Sequence, residues 1–196
     1  MNDITSYMLE QTKKILSIDS PTGFTAHAAE YVLGEYKKLG YDAKLTNKGG
    51  IFVCVNDGPD QADDPADAPI LLEAHMDTLG GMVCSINEKG RLMLSALGGM
   101  NPNNAEAENC RVYTRSGKVY SGTFQLKNAS IHVNGSYNDT TRSYDAMEVV
   151  LDEPVESKAD TEALGIMTGD IVCFDPRTTV TCLLYTSDAA DDRISV

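Results

Sequence analysis

The chain is short of basic residues. Its 16 Lys and Arg stand against 29 Asp and Glu, for a formal net charge of -13. That deficit excludes a basic groove for nucleic acid, whose phosphates demand clustered Lys and Arg. CxxC spacing is absent: the five cysteines are Cys54, Cys84, Cys110, Cys173 and Cys182. An odd count without that spacing argues against a disulfide framework and against a zinc knuckle. The expected role is that of small buried apolar residues in a reducing compartment. No apolar run approaches the ~20 residues that span a bilayer, and no basic-then-apolar leader opens the chain. No internal repeat is visible. These absences predict a cytoplasmic protein that meets neither nucleic acid nor membrane.

What is present begins with 196 residues, 42% of them hydrophobic, which is enough to pack a core. Apolar side chains at Ile4, Met8, Ile15 and Leu16 predict a helix over residues 3–17. A Ser20-Pro21-Thr22-Gly23 turn follows. Thr25 is placed to cap a second helix that ends at Leu39 before Gly40, with an inner stripe of Ala29, Val32, Leu33 and Tyr36. Strands are expected near 43–46 and 51–55. The loop over 57–68 holds five Asp and two Pro in a spacing that fits no calcium loop, and reads as a solvated face. Ile70-Leu71-Leu72 is a continuous apolar run, which predicts a strand buried on both faces and ending in Glu73-Ala74-His75-Met76-Asp77.

The texture changes after Gly80. Short β-like runs appear at 82–86, 91–97, 111–114, 119–126, 131–133 and 148–151, separated by turns such as Lys89-Gly90 and Ser116-Gly117. Ser157 can cap a short helix to Leu164, and 170–174 is one more strand. The fold class expected from this is α/β for the first ~80 residues, followed by a barrel-like or sandwich-like β module.

His75-Met76-Asp77 is the segment with chemistry in it. Residues two apart on a strand share a face. His75 can therefore offer one ring nitrogen to a metal while Asp77 accepts the N–H of the other, which fixes the tautomer and makes the imidazole a better ligand. An HxD tripeptide alone is weak, because one imidazole cannot hold zinc. His27 reads as a solvated helix residue and His132 as a packed or hydrogen-bonded one. The residues alone leave open a non-catalytic β-rich binding module, in which His75 and Asp77 are ordinary core residues.

Four separated segments sharpen the choice: 20–24 (SPTGF), 74–83 (AHMDTLGGMV), 98–102 (GGMNP) and 164–170 (LGIMTGD). In this order they resemble metallopeptidase family forty-two, the glutamyl/leucyl aminopeptidases of the tetrahedral (TET) type. The resemblance covers about residues 3 to 181. It implies a partial zinc-peptidase α/β sheet domain interrupted by an inserted β-barrel-like domain. The boundaries it implies are 1–79 for the first part of the catalytic domain, 80–168 for the insert, and 169–181 for a strand returning to the catalytic domain. It further implies hydrolysis of N-terminal residues from peptides, a pair of divalent ions (zinc or cobalt), a Glu general base and homo-oligomer contacts through the β domain. By the same resemblance His75 is a metal ligand and Asp77 its partner in the catalytic site. The remaining ligands and the general base lie, in that family, after the β module, so the chain as written is expected to be inactive. A deacylase or dipeptidase with the same HxD strand is the alternative enzyme, although such enzymes usually delay their insert until after further ligands.

The last residues read differently. Cys182 to Asp191 back-translates without a mismatch to TGT CTC TTA TAC ACA TCT GAC GCT GCC GAC, which resembles the transposon-end adapter of short-read sequencing libraries. Residues 182–196 are therefore expected to be adapter-derived. Asp191-Asp192-Arg193 resembles the family motif that supplies a bridging ligand, but ten fixed codons account for it better, and Asp191 is not taken as a ligand.

Overall fold

The computed structural model describes residues 3–55, 70–181 and 184–186. Two helices come first, α1 (Asp3–Leu16) and α2 (Ala26–Lys38), followed by a short ribbon of β1 (Lys44–Leu45) and β2 (Ile51–Phe52). Thr25 occupies the position before α2, but its hydroxyl makes no capping bond. The inner stripe of α2 is only partly covered: Ala28 and Ala29 are buried, while Val32, Leu33 and Tyr36 are half-buried. No residue of α1 is buried. The acidic loop lies outside the described residues. Among those described, no helix is long and apolar enough to cross a membrane.

From Gly80 onward the chain closes a barrel. Its strands are β3 (Gly80–Ile86), β4 (Leu92–Leu97), β5 (Asn109–Tyr113), β6 (Val119–Leu126), β7 (Met147–Leu151) and β8 (Ile171–Phe174). They are hydrogen-bonded in the order β3-β4-β7-β6-β5-β8, with every pair antiparallel and β8 closing back onto β3. Alternation along β6 sends Gly122, Phe124 and Leu126 inward. Phe124 and Leu126 meet Val83, Leu92, Leu94, Val112, Met147, Val149 and Val172 in one core cluster. Each large side chain sealed there contributes about 1.5–3 kcal/mol relative to exposure. A single bulge interrupts the β3–β4 register between Val83 and Ser85.

Two short helices finish the barrel. In α3 (Pro102–Ala105), Pro102 sits in the first turn and the Asn101 side chain accepts from the Asn103 N–H at 3.0 Å. That Asn-Pro start signal was present in the sequence and went unread. The helix α4 (Lys158–Ala163) is capped by Ser157 as expected, and Asp160 completes a capping box with it. A ribbon of β9 (Thr179–Thr181) and β10 (Leu184–Thr186) ends the described chain.

Expectations differ from the structure at residues 70–77 and 131–133, and Cys54 and Cys84 are exposed instead of buried. Ile70, Leu71 and Leu72 form no strand and are 86%, 70% and 87% exposed. A strand buried on both faces needs neighbours on both edges, and none of the described residues provides them. Residues 131–133 are a turn, because the Ser130 carbonyl accepts from the Val133 and Asn134 N–H groups and closes the backbone on itself. The segment 171–174 forms the expected strand, β8, which pairs with β3 and β5 and completes the barrel.

Candidate metal centre

The segment bearing His75 and Asp77 runs directly into β3, so the first barrel strand sets where it emerges. It is gripped from one side by the turn that follows α1. The Thr78 N–H donates to the Ser20 carbonyl at 2.7 Å and the Thr22 N–H to the Thr78 carbonyl at 3.3 Å, making a parallel bridge between Pro21 and Thr78. The Ser20 hydroxyl donates to the Met76 carbonyl at 2.9 Å. Two glycines allow this close approach. A Cβ on Gly80 would lie 2.7 Å from Pro21 Cβ and 2.9 Å from the Val172 carbonyl oxygen. Gly98, at φ +73°, leaves room for Leu79, whose Cδ2 would be 2.6 Å from an added Cβ.

The turn is in turn tied to the barrel wall. Asp19 receives Arg111 Nε at 2.7 Å and Nη2 at 2.6 Å, and the Tyr113 hydroxyl donates to it at 2.5 Å. Arg111 also pairs with Asp175, just beyond β8. Burial first, and then the bond to Asp19, push the Tyr113 phenol up to about 12. Arg111 is held above its already high ordinary value, first by the Asp19 hydrogen bonds.

Within this grip the two sequence-predicted residues come together. His75 Nδ1 lies 2.9 Å from the Asp77 carbonyl oxygen and 3.3 Å from Asp77 Oδ1. Both neighbours are acceptors, so in the neutral ring the proton belongs on Nδ1 and the lone pair on Nε2. The other carboxylate oxygen, Oδ2, accepts from the Thr22 hydroxyl at 2.7 Å. That bond is the chief cause holding the Asp77 carboxyl below its ordinary range. The side chains of His75 and Asp77 are 61% and 38% exposed, so the ring stands at a surface and not in an apolar core.

This geometry fits one ligand of a metal site. It does not complete one, since no group of three or more His, Cys, Asp or Glu able to hold a metal exists among the described residues. A coordination shell of four needs further donors. Beside Thr78 and Leu79 opens a recess of about 40 Å³ with Asp19, Asn101, Glu108 and Asp175 on its walls. That is room for a water or two, not for a substrate side chain. His27 is exposed and packs edge-on against Phe24, and His132 is exposed in the 131–133 turn. Sequence reasoning passed over Thr22, Ser20, Asp19 and Arg111. The 20–24 motif carried the signal, but it reads locally as no more than a turn.

A helical region carrying an HxD segment, joined at Gly80 to a closed six-stranded barrel, is the fold of the TET aminopeptidases. Aminopeptidase APDkam598 from the archaeon Desulfurococcus kamchatkensis superposes with a TM-score of 0.73 at 24% identity, over 90% of this chain and 45% of that one. The Pyrococcus horikoshii TET1 peptidase, whose structure shows assembly into a tetrahedron or a large octahedral shell, superposes with a TM-score of 0.68 at 24% identity, over 88% and 48%. The model of the M42 glutamyl aminopeptidase family matches residues 52–196, and the chain belongs to that family. The Bacillus subtilis protein YhfE is 38% identical over 189 residues, 96% of this chain and 53% of that protein. The glutamyl aminopeptidase of Lactococcus lactis subsp. cremoris is 28% identical over 169 residues, 84% and 44%. The chain thus spans about half the length of the curated relatives it matches. The family match runs on through residues 182–196, where Asp191-Asp192-Arg193 stands.

Proposed function

We propose that the whole protein is a metal-dependent aminopeptidase that removes N-terminal residues from peptides. The observation that carries this is the His75 ring, held through Nδ1 by Asp77 at the protein surface, in a chain of the M42 family. His75 is the ligand this chain contributes, and Asp77 holds its ring. A pair of divalent ions, zinc or cobalt, would supply a water made acidic enough to attack and a charge to stabilise the oxyanion. This chain's own residues bind and orient. Asp77 keeps the Nδ1 proton in place, the 20–22 turn keeps Asp77 in place, and the barrel keeps the turn in place.

A homo-oligomer built through the barrel and a cytoplasmic location complete the reading. It is supported by the assembly of the TET1 peptidase and by the acidic composition with its odd cysteine count and no CxxC spacing. Residues 182–196 are read as translated adapter, and sequencing the gene beyond the codon for Thr181 tests that reading. The activity test uses the full-length protein, leucyl- and glutamyl-anilides, and added zinc or cobalt. Metal-dependent turnover that disappears with His75→Ala is expected. Turnover unchanged by chelation or by His75→Ala would sink the proposal. Residues 1–196 should show no turnover in the same assay; activity there would return Asp191 to consideration as a bridging ligand.

A further inference from the structure

We infer that Thr22 is a positioning residue of the metal centre, its hydroxyl aiming the Asp77 carboxylate at the His75 ring. The inference rests on the metallopeptidase reading and adds a residue to it. Asp77 has two carboxylate oxygens and two tasks. Oδ1 lies 3.3 Å from His75 Nδ1, and Oδ2 accepts the Thr22 hydroxyl at 2.7 Å. A carboxylate this open to solvent can rotate away from an imidazole at little cost, and a fixed donor on its far oxygen removes that freedom. Thr22 suits the task because its β-branch restricts χ1.

The donor is itself held from two sides. Its backbone N–H is bonded to the Thr78 carbonyl, one residue past Asp77. Gly98, just past the end of β4, leaves space beside Oγ1, which would lie 3.8 Å from a Cβ placed there. Asp19, three residues earlier, is anchored to β5 by Arg111 and Tyr113. A line of short contacts therefore runs from the barrel wall through Asp19 and the 20–22 turn to Thr22, Asp77 and His75. On this account the barrel braces the metal ligand.

Thr22 is exposed, and its backbone bonds survive any side chain. Thr22→Val keeps shape and β-branch and removes only the hydroxyl. Thr22→Ser keeps the hydroxyl and removes the methyl. In the full-length protein, zinc affinity is measured by competition with a chromophoric chelator, alongside the metal-free melting temperature and the kcat and KM of an anilide substrate. The expected result is zinc binding weakened roughly tenfold in Thr22→Val, the low end for residues supporting a metal ligand. With it should come a lower kcat, an unchanged KM and an unchanged metal-free melting temperature, and Thr22→Ser should lie close to wild type. Thr22→Ala, which removes both groups, should match Thr22→Val. Zinc affinity equal to wild type in Thr22→Val, while His75→Ala abolishes binding, would overturn this inference and leave the metallopeptidase reading standing. Equal losses in Thr22→Val and Thr22→Ser, accompanied by a lower metal-free melting temperature, would overturn it in favour of a merely structural threonine. A wild-type protein that binds no zinc and shows no metal-dependent turnover would overturn both.

Discussion

The barrel and the helical region before it are built from similar amounts of apolar side chain, yet only one of them buries it. Every member of the main core cluster lies between Val83 and Val172. Before Gly80 the buried apolar residues are small, namely Ala28, Ala29 and Ala43 with Pro21, while Ile4, Met8, Phe52, Ile70, Leu71 and Leu72 are more than half exposed. The difference lies in closure and not in composition. Six antiparallel strands that return on themselves satisfy every edge and enclose their own inner face. Two helices and a two-stranded ribbon leave their apolar faces without a cover. A region can thus hold its site residues in order, as the 20–22 turn does, without having a core of its own, provided a neighbouring module is complete.

The sharpest way to break this comparison is Phe124→Ala. The ring is fully buried and packs against Tyr144 and Phe174, so truncation should cost about 3–5 kcal/mol. Denaturant unfolding followed by near-ultraviolet dichroism should lose the barrel transition first. A cost below about 1 kcal/mol would mean that the barrel interior is not the stabilising core. The next effect concerns the joint. Arg111→Ala leaves Asp19 partly buried with Tyr113 as its remaining barrel donor, at a cost of about 2 kcal/mol for charged hydrogen bonds. Amide exchange should speed up at Thr78 and Thr22 while β6 and β7 stay protected. Uniform loss of protection would show that the two regions unfold as one.

A third test uses pH. The Tyr113 phenol is raised from 10.0 to about 12, so its contribution is fully present below the unfolded value near 10. It is lost as pH rises through about 12, when the phenolate faces Asp19. Opening of the 19–22 turn in that window, absent in Tyr113→Phe, is the expected outcome of alkaline titration followed by phenolate absorbance and amide exchange. The smallest effect belongs to the exposed side. Leu72→Ala should change the stability of residues 1–196 by no more than about 0.5 kcal/mol, because that leucine is 87% exposed. A loss comparable with Phe124→Ala would mean that a hidden core covers it.

Legibility followed the range of the interactions. The helices at the start, the β module beginning at Gly80 and the Ser157 cap of α4 were all readable, since each rests on neighbours one to four residues apart or on strict alternation. The pairing of His75 with Asp77 was readable from their spacing, although residues 73–77 form no strand and the nearer acceptor at Nδ1 is the Asp77 backbone carbonyl. The 131–133 run misled because alternation cannot distinguish a strand from an exposed apolar turn when the backbone finds partners locally at Ser130. Ile70–Leu72 misled because a continuous apolar run states a need for burial and says nothing about whether a cover is present.

The amino-acid sequence by itself determined the order of the helices and barrel strands, the change of architecture at Gly80 and the pairing of His75 with Asp77. Tertiary structure alone decided that residues 171–174 close the barrel, that Arg111 reaches Asp19 across 92 positions, and that Thr22 takes the far oxygen of Asp77 across 55. The physical reason is that side-chain period encodes which face of an element is apolar. The partner for each face, and the donor for each carboxylate, is chosen only when distant segments are brought within about 3 Å of one another.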